Sequence, residues 1–442
     1  MPAIFVHVSD THFGLDAGKG SRGKNDDIKE RLLEDVRDFF RQHETGRATG
    51  ILFAGDLANK GKAEEYADAG KWLDRLTNAA GCRPHRVQVV PGNHDVNREM
   101  ATSGVRLMMD HVASGNGKLA DFLEHEHDRR GFYRRFDPYS EFAEAYDCSV
   151  DESGGPVGVW RVPIGSKRKL KILGLNSAIL CRKADKAGDL LLGPYQSIID
   201  PPHQDEFIVV MVHHPLKWMG DGGEILKYIK ARASVLITAH EHSNKSEIVD
   251  GILNIDAGAV IQPSHHQEPQ RISEYTYNII EFSGAMGAKD AALLKVKVHP
   301  RIWSDETTRF DAGETREFEL EARPPRVDFS RKANRRRKSE NTNEVASVIY
   351  EFFRMSPDQR GIVLKQYQAV LHERSTRMDR QVLDSLLTSV GATEMASTLE
   401  KVKNGTLKAS SPQSARPRKA PPASRGARGR RTRKKPVAVE AK

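Results

Sequence analysis

The chain has 442 residues, room for one large domain and a smaller one, with 69 Lys and Arg against 60 Asp and Glu. Its net charge of +9 sits in residues 408–442, which hold 12 basic residues and one acid; positions 1–407 carry −2, so the basic character says nothing about the substrate of the body. Apolar runs fall short of the ~20 residues that cross a bilayer, the N-terminus enters a strand-like run with no leader pattern, and the three isolated cysteines (Cys82, Cys148, Cys181) make no disulfide framework, so a cytoplasmic chain without membrane contact is expected.

Ile4, Phe5, Val6, His7 and Val8 read as a first buried strand, ending in Ser9, Asp10, Thr11 and His12. His7 lies inside the strand pattern and reads as structural. Residues 18–24 come close to the phosphate-binding pattern G-x-x-x-x-G-K-[ST]. Asn25 lacks the required hydroxyl, and nine residues separate this loop from the strand, so a nucleotide-binding P-loop is rejected. A basic loop beside the first motif is left, with contact between Lys19, Arg22 or Lys24 and a substrate phosphate as the sharper alternative.

Ile28, Leu32, Val36, Phe39 and Phe40 have helical spacing. Residues 50–54 form a second apolar run that leads into Gly55 and Asp56, and residues 64–76 a second amphipathic helix. The valine-rich run 86–90 is a third buried strand, ended sharply by Pro91 and Gly92. Asn93, His94 and Asp95 follow with no apolar residue between them, and a turn without a function rarely reads this way. Strands alternating with helices predict an α/β layered domain.

Residues 100–146 break that rhythm, with Phe122, Phe132, Tyr133, Phe136, Tyr139, Phe142 and Tyr146 among Arg129, Arg130, Arg134 and Arg135. A helical insertion is expected, either an ordinary packed layer or a lid whose cations meet an anionic substrate. His125 and His127 alternate with acids and read as wet surface. Further strands are expected at residues 159–162, 170–175, 207–212, 235–238, 248–255, 276–282 and 293–298. Residues 323–343 are polar and basic. Beyond them Val345, Val348, Ile349, Phe352 and Phe353 resume a helical stripe, and Ser356, Pro357 and Gln359 make a capping box with proline at the first helical position. Gly391 and Gly405 read as helix stops. About four short helices are expected there. After Lys408 the Pro, Ser, Ala and Arg composition cannot bury a core, and disorder is expected.

Five buried strands each end in ligand-type residues: Asp10 with His12, Asp56, Asn93 with His94, His213 with His214, and His240 with His242. Ligands of layered sheets collect at the carboxyl ends of strands. The i, i+2 pairs point the same way if the loop is locally extended. Asp, Asn and His without cysteine suit borderline divalent ions such as Mn, Fe, Zn or Ni.

The set Asp10-x-His12, Gly55-Asp56, Gly92-Asn93-His94-Asp95, His213-x-Pro215 and Ala239-His240-Glu241-His242 resembles the calcineurin-like metallophosphoesterase superfamily over roughly residues 3–300. Gly55-Asp56-Leu57-Ala58 with Glu64-Glu65-Tyr66 is similar to its bacterial cyclic-nucleotide-phosphodiesterase-like branch. The resemblance implies a four-layer α-β-β-α sandwich in residues 1–322, with the insertion at about 100–146. A basic linker (323–343), a C-terminal α-helical bundle (344–405) and a disordered basic tail (406–442) follow. It implies that Asp10, His12 and His242 hold a first metal ion, that Asn93, His213 and His240 hold a second, and that Asp56 bridges them. His94 is then the catalytic group at the leaving oxygen, oriented by Asp95, and His214 is the lesser candidate of its doublet. The implied activity is a phosphodiesterase that uses two divalent ions and a metal-bridging hydroxide.

Two other readings fit the same residues. One is a nuclease or nucleic-acid-associated phosphoesterase recruited by the tail, where residues 428–435 hold six basic side chains in eight. The other is an effector or adaptor whose helices 344–405 bind a protein partner or a second copy.

Overall fold

The computed structural model describes residues 1–16, 23–262, 275–287, 292–325, 342–367 and 379–407. Lys19 and Arg22, most of the expected linker and the basic tail from residue 408 lie outside the described residues.

In chain order the strands are β1 (Ala3–Val8), β2 (Gly50–Phe53), β3 (Val87–Val89), β4 (Val159–Ile164), β5 (Arg168–Leu175), β6 (Glu206–Val212) and β7 (Val235–Thr238). They continue with β8 (Ser246–Val249), β9 (Ile252–Asp256), β10 (Thr276–Met286), β11 (Ala292–Ser304), β12 (Arg309–Ala312) and β13 (Arg316–Glu321). The first sheet runs β12-β11-β10-β1-β2-β3, with β13 paired to β11 as its seventh strand. The second runs β4-β5-β6-β7-β9-β8. β1, β2 and β3 are mutually parallel, as are β5, β6 and β7.

Every residue of β1 is buried because both of its faces are covered. Phe5, with Leu52 and Ala54, meets Ile172, Val209, Met211 and Ile237 between the two sheets. Ile4, Val6 and Val8 point the other way, toward α1 (Lys24–Gln42) and α2 (Ala63–Ala79), through Ile28, Leu32, Val36, Leu73 and Leu76. On the outer face of the second sheet, Val210 and Val212 pack with Ile225 and Ile229 of a helix at Gly222–Arg232. The layers are therefore α-β-β-α, and each such buried side chain contributes about 1.5–3 kcal/mol.

One expected strand is two. The run 248–255 folds as the β8–β9 hairpin around Asp250 (φ 53°) and Gly251 (φ 75°). An Asp-Gly pair with both residues left-handed is the favoured two-residue hairpin turn, and that signal outranks the continuous apolar pattern.

The insertion is helical, with helices at Ser103–Ala113, Leu119–Glu124, Glu126–Tyr133 and Asp137–Ala143. Phe132, Phe136 and Tyr139 are fully buried. Of its arginines Arg135 is buried, while Arg130 and Arg134 are exposed. Arg129 donates to the Leu123 carbonyl, Arg130 pairs with Asp137 and Glu152, and Arg135 donates to the carbonyls of Phe132, Ile179 and Cys181. This is the packed layer, with three of the four cations spent on internal contacts. His125 and His127 are exposed.

The C-terminal helices, Thr342–Phe353, Pro357–Gln366, Asp379–Val390 and Ala392–Lys403, enclose a separate core of Val348, Phe352, Val363, Leu383, Leu386, Met395 and Leu399. Ser356 caps the second of them, accepting from the Gln359 N–H at 3.3 Å while the Gln359 side chain accepts from the Ser356 N–H. Gly391, at φ 93°, separates the last two. The first of these helices rests on the body: Tyr350 and Arg354 both donate to Asp74, and the Tyr146 and Tyr350 rings lie 5.7 Å apart. No helix among the described residues is long and apolar enough to cross a membrane.

Candidate metal centre

Because the strands that precede them run parallel, the candidate side chains emerge at one edge of each sheet. β1, β2 and β3 lead to Asp10 and His12, to Asp56, and to Asn93 and His94. β6 and β7 lead to His213 and His214, and to His240 and His242. The edges are tied together: His213 Nδ1 donates to the Ala54 carbonyl across the seam at 2.7 Å, and the Val260 N–H donates to the Ser9 carbonyl.

The connecting backbone is left-handed where an extended loop was expected. Asp10, His12, Asp56, His240 and His242 have φ of 55°, 43°, 55°, 69° and 53°. Each such residue costs about 1–3 kcal/mol, and Asp and His tolerate the region better than most residues do. Asp10 and His12, 3.8 Å apart at Oδ1 and Nε2, meet because the chain turns, not because extended residues alternate, while His240 and His242 join different groups. Two glycines are required by close approach. A Cβ on Gly92 would stand 2.2 Å from Asp56 Oδ1, and one on Gly55 (φ 99°) 2.5 Å from His213 Nδ1.

Ligand atoms converge in overlapping groups within 4.8 Å: Asp10, His12 and His242; Asp10, Asp56 and His213; His12, Asp56 and His94; and His213, His214 and His240. His242 Nε2 is 3.2 Å from Asp10 Oδ1, and His213 Nε2 is 3.3 Å from Asp56 Oδ2. Asp10 Oδ2 and both ring nitrogens of His12 are buried with no hydrogen-bond partner among the described residues, and the buried Nε2 of His213 faces the Asp56 carboxylate. Such groups normally carry a heavy desolvation cost, so donors of this kind aimed at one another fit cations held among them.

The electrostatics agree. Burial alone would raise the carboxyls of Asp10 and Asp56. The His242 charge holds Asp10 below its usual range, and His213 with His94 holds Asp56 well below it. Burial opposes protonation of His213, but the Asp56 carboxylate overrides it and raises the ring to about 9. Burial lowers His12 to about 3, and burial with the His213 charge lowers His240 to about 4.

Asp95 does not touch the His94 ring. It accepts from the backbone N–H groups of Gly92, Leu57 and Ala58 and from the Tyr66 hydroxyl, at 2.9–3.3 Å. The ring of His94 is held instead by the Asn59 carbonyl, 2.8 Å from Nδ1. Four donors occupy this buried carboxylate, so Asp95 shapes both loops, and an orienting effect on His94 would run through them. Burial and the Asp56 charge push that carboxyl up to about 6.

His7 stays within β1, buried and away from these groups. Lys24 pairs with Asp305 at 2.8 Å. Sequence reasoning passed over Asn59, Ser177 and Trp218. The Trp218 ring packs 4.5 Å from that of His240. Ser177 lies two residues past the end of β5, and a polar residue after one more strand end was the available signal.

A profile of calcineurin-like phosphoesterases matches residues 4–244. An uncharacterized metallophosphoesterase-like protein of Bacillus subtilis (strain 168), YydB, is 24% identical over 199 residues, which is 43% of this chain and 36% of that protein's length. Among solved structures, vacuolar protein sorting 29 of Cryptosporidium parvum aligns with 72% of this chain and 98% of its own, at 12% identity and a TM-score of 0.34. A putative 5'-nucleotidase of Staphylococcus aureus aligns with 74% of this chain and 56% of its own, at 14% identity and a TM-score of 0.33. With the profile spanning more than half of its length, this chain belongs to the calcineurin-like phosphoesterase family.

Proposed function

We propose that the chain hydrolyses phosphodiesters at a pair of divalent ions. The observation that carries this is the cluster of buried ligand atoms on Asp10, His12, Asp56, His213 and His242, among which Asp10 Oδ2 and the His12 ring nitrogens have no hydrogen-bond partner among the described residues. Asp10, His12 and His242 are assigned to one ion, Asn93, His213 and His240 to the other, and Asp56 to both. Such a pair, when bound, supplies a nucleophile at neutral pH and charge to offset the developing phosphorane.

The rest is the work of the chain. Nδ1 of His213 donates a hydrogen bond to the Ala54 carbonyl, so Nε2, beside Asp56, is the ring atom that would turn to a cation once its proton is displaced. The backbone N–H of His94 donates to Asp56 Oδ1 at 2.8 Å and fixes that carboxylate. The Asn59 carbonyl accepts from Nδ1 of His94, so Nε2 is the ring atom free to exchange a proton. As an imidazolium, His94 donates from Nε2 to the departing alkoxide oxygen.

The preference for diesters rests on the likeness of residues 55–58 and 64–66 to the cyclic-nucleotide branch. In the fold Glu65 accepts from the N–H groups of Lys60 and Lys62, and Tyr66 donates to Asp95, so these residues build the Asp56 loop. The test is hydrolysis of p-nitrophenyl mono- and diesters, cyclic nucleotides and single-stranded DNA with Mn, Ni, Zn or Mg. Turnover of a diester in preference to its monoester is expected. Monoester turnover alone would overturn the preference, and no metal-stimulated turnover would overturn the reading.

A further inference from the structure

We infer that His214, locked by Ser177, is a positioning residue that selects which end of the Asn93 amide faces the metal centre; this rests on the metal-centre reading above. Ser177 Oγ accepts the His214 backbone N–H at 3.3 Å and lies 2.8 Å from Nδ1 of the same ring. The backbone N–H fills one of the two acceptor sites of this buried hydroxyl, and among the described residues Nδ1 is the acceptor within reach of its one hydrogen, which is assigned there. Nδ1 accepts, so the ring hydrogen sits on Nε2. That atom is 3.2 Å from Asn93 Oδ1.

The two ends of an amide have nearly the same shape, but only the oxygen ligates a hard or borderline cation. Ligand atoms of His213, His214 and His240 gather within 4.8 Å, so the end that His214 selects is the end beside the second proposed ion. Ser177 is itself held from outside the site. Asn176 accepts from the Ala178 N–H, and Gln196 accepts from the Asn176 N–H. Arg135 of the insertion donates to the carbonyls of Ile179 and Cys181. The packed insertion thereby sets a turn that sets a ring that sets a ligand. Cys181 Sγ stands 3.9 Å from Nε2, and burial pushes its thiol up, so it is a weak neutral neighbour and not a thiolate ligand.

The experiment is metal titration of the full chain with Mn(II), followed by calorimetry and electron paramagnetic resonance, for wild type, His214→Leu, His214→Gln and Ser177→Ala. His214→Leu should weaken the second ion roughly 10–100-fold and leave the first unchanged. His214→Gln keeps an N–H donor and should restore affinity close to wild type. Ser177→Ala frees the tautomer while keeping the ring, and should weaken the second ion in the same direction. Unchanged second-ion affinity in both His214→Leu and Ser177→Ala overturns the inference. So does a loss in His214→Gln equal to that in His214→Leu, which would make His214 itself a ligand. A wild-type chain that binds fewer than two ions fails one step earlier, and sinks the metal centre together with this inference.

Discussion

The edge of the first sheet carries the two acids proposed to hold metal, Asp10 and Asp56, with His12, Asn93, His94 and Asp95. The edge of the second carries His213, His214, His240 and His242, and its nearest acid, Glu241, is engaged by Lys217 and Trp218. Each edge alone is electrostatically poor. Buried carboxylates resist ionising, and buried imidazoles resist protonation. Across the seam each corrects the other, as the raised His213 and the depressed Asp56 display. A site divided in this way exists only when both sheets have docked, which couples chemistry to the integrity of the inter-sheet core.

The harshest way to break this division is Asp56→Asn, which removes the charge that both halves share. Hydrolysis should fall to background, and metal content by plasma emission should drop below two ions per chain; a fully active variant with unchanged metal content would refute the bridging role. His94→Ala removes a group of the first edge that is not assigned as a ligand. Turnover should fall by about 10²–10⁴ while both ions stay bound, and joint loss of activity and metal would make His94 a ligand. A third test titrates the seam. In the metal-free chain His213 is raised to about 9, so at neutral pH it carries a proton that an incoming ion must displace. Affinity should therefore rise by up to about tenfold per pH unit below that value and level off above it. Calorimetry in buffers of differing ionisation enthalpy should register the released proton. The same sign makes the metal-free chain lose the His213–Asp56 stabilisation as pH rises through about 9. The gentlest test lies outside both sheets. Phe352 is fully buried in the C-terminal helical core, so Phe352→Ala should cost that core about 3–5 kcal/mol by chemical denaturation. Metal content and turnover should stay near wild type, and a parallel loss of both would tie the helices to the site.

The candidate side chains were legible before folding because each strand end announces itself: an apolar run stops, and Asp, Asn or His follows. The same periodicity exposed α1, α2 and the C-terminal helices, and the capping box at Ser356 located a helix start to the residue. The β8–β9 turn was legible too, in Asp250 and Gly251, but the apolar run around it masked the signal. The partners of those side chains were hidden. That Asn59 and not Asp95 holds the ring of His94, that Arg135 serves carbonyls and not a substrate, and that Ser177 reaches His214 all depend on segments far apart in the chain.

By itself the sequence determined the element types and the order of the strand-end motifs, because those follow from local periodicity and side-chain chemistry. Tertiary structure alone decided which atoms meet, which backbone positions turn left-handed and which way each proton points. Those outcomes depend on two sheets closing on a shared core, and no local window of residues contains that information.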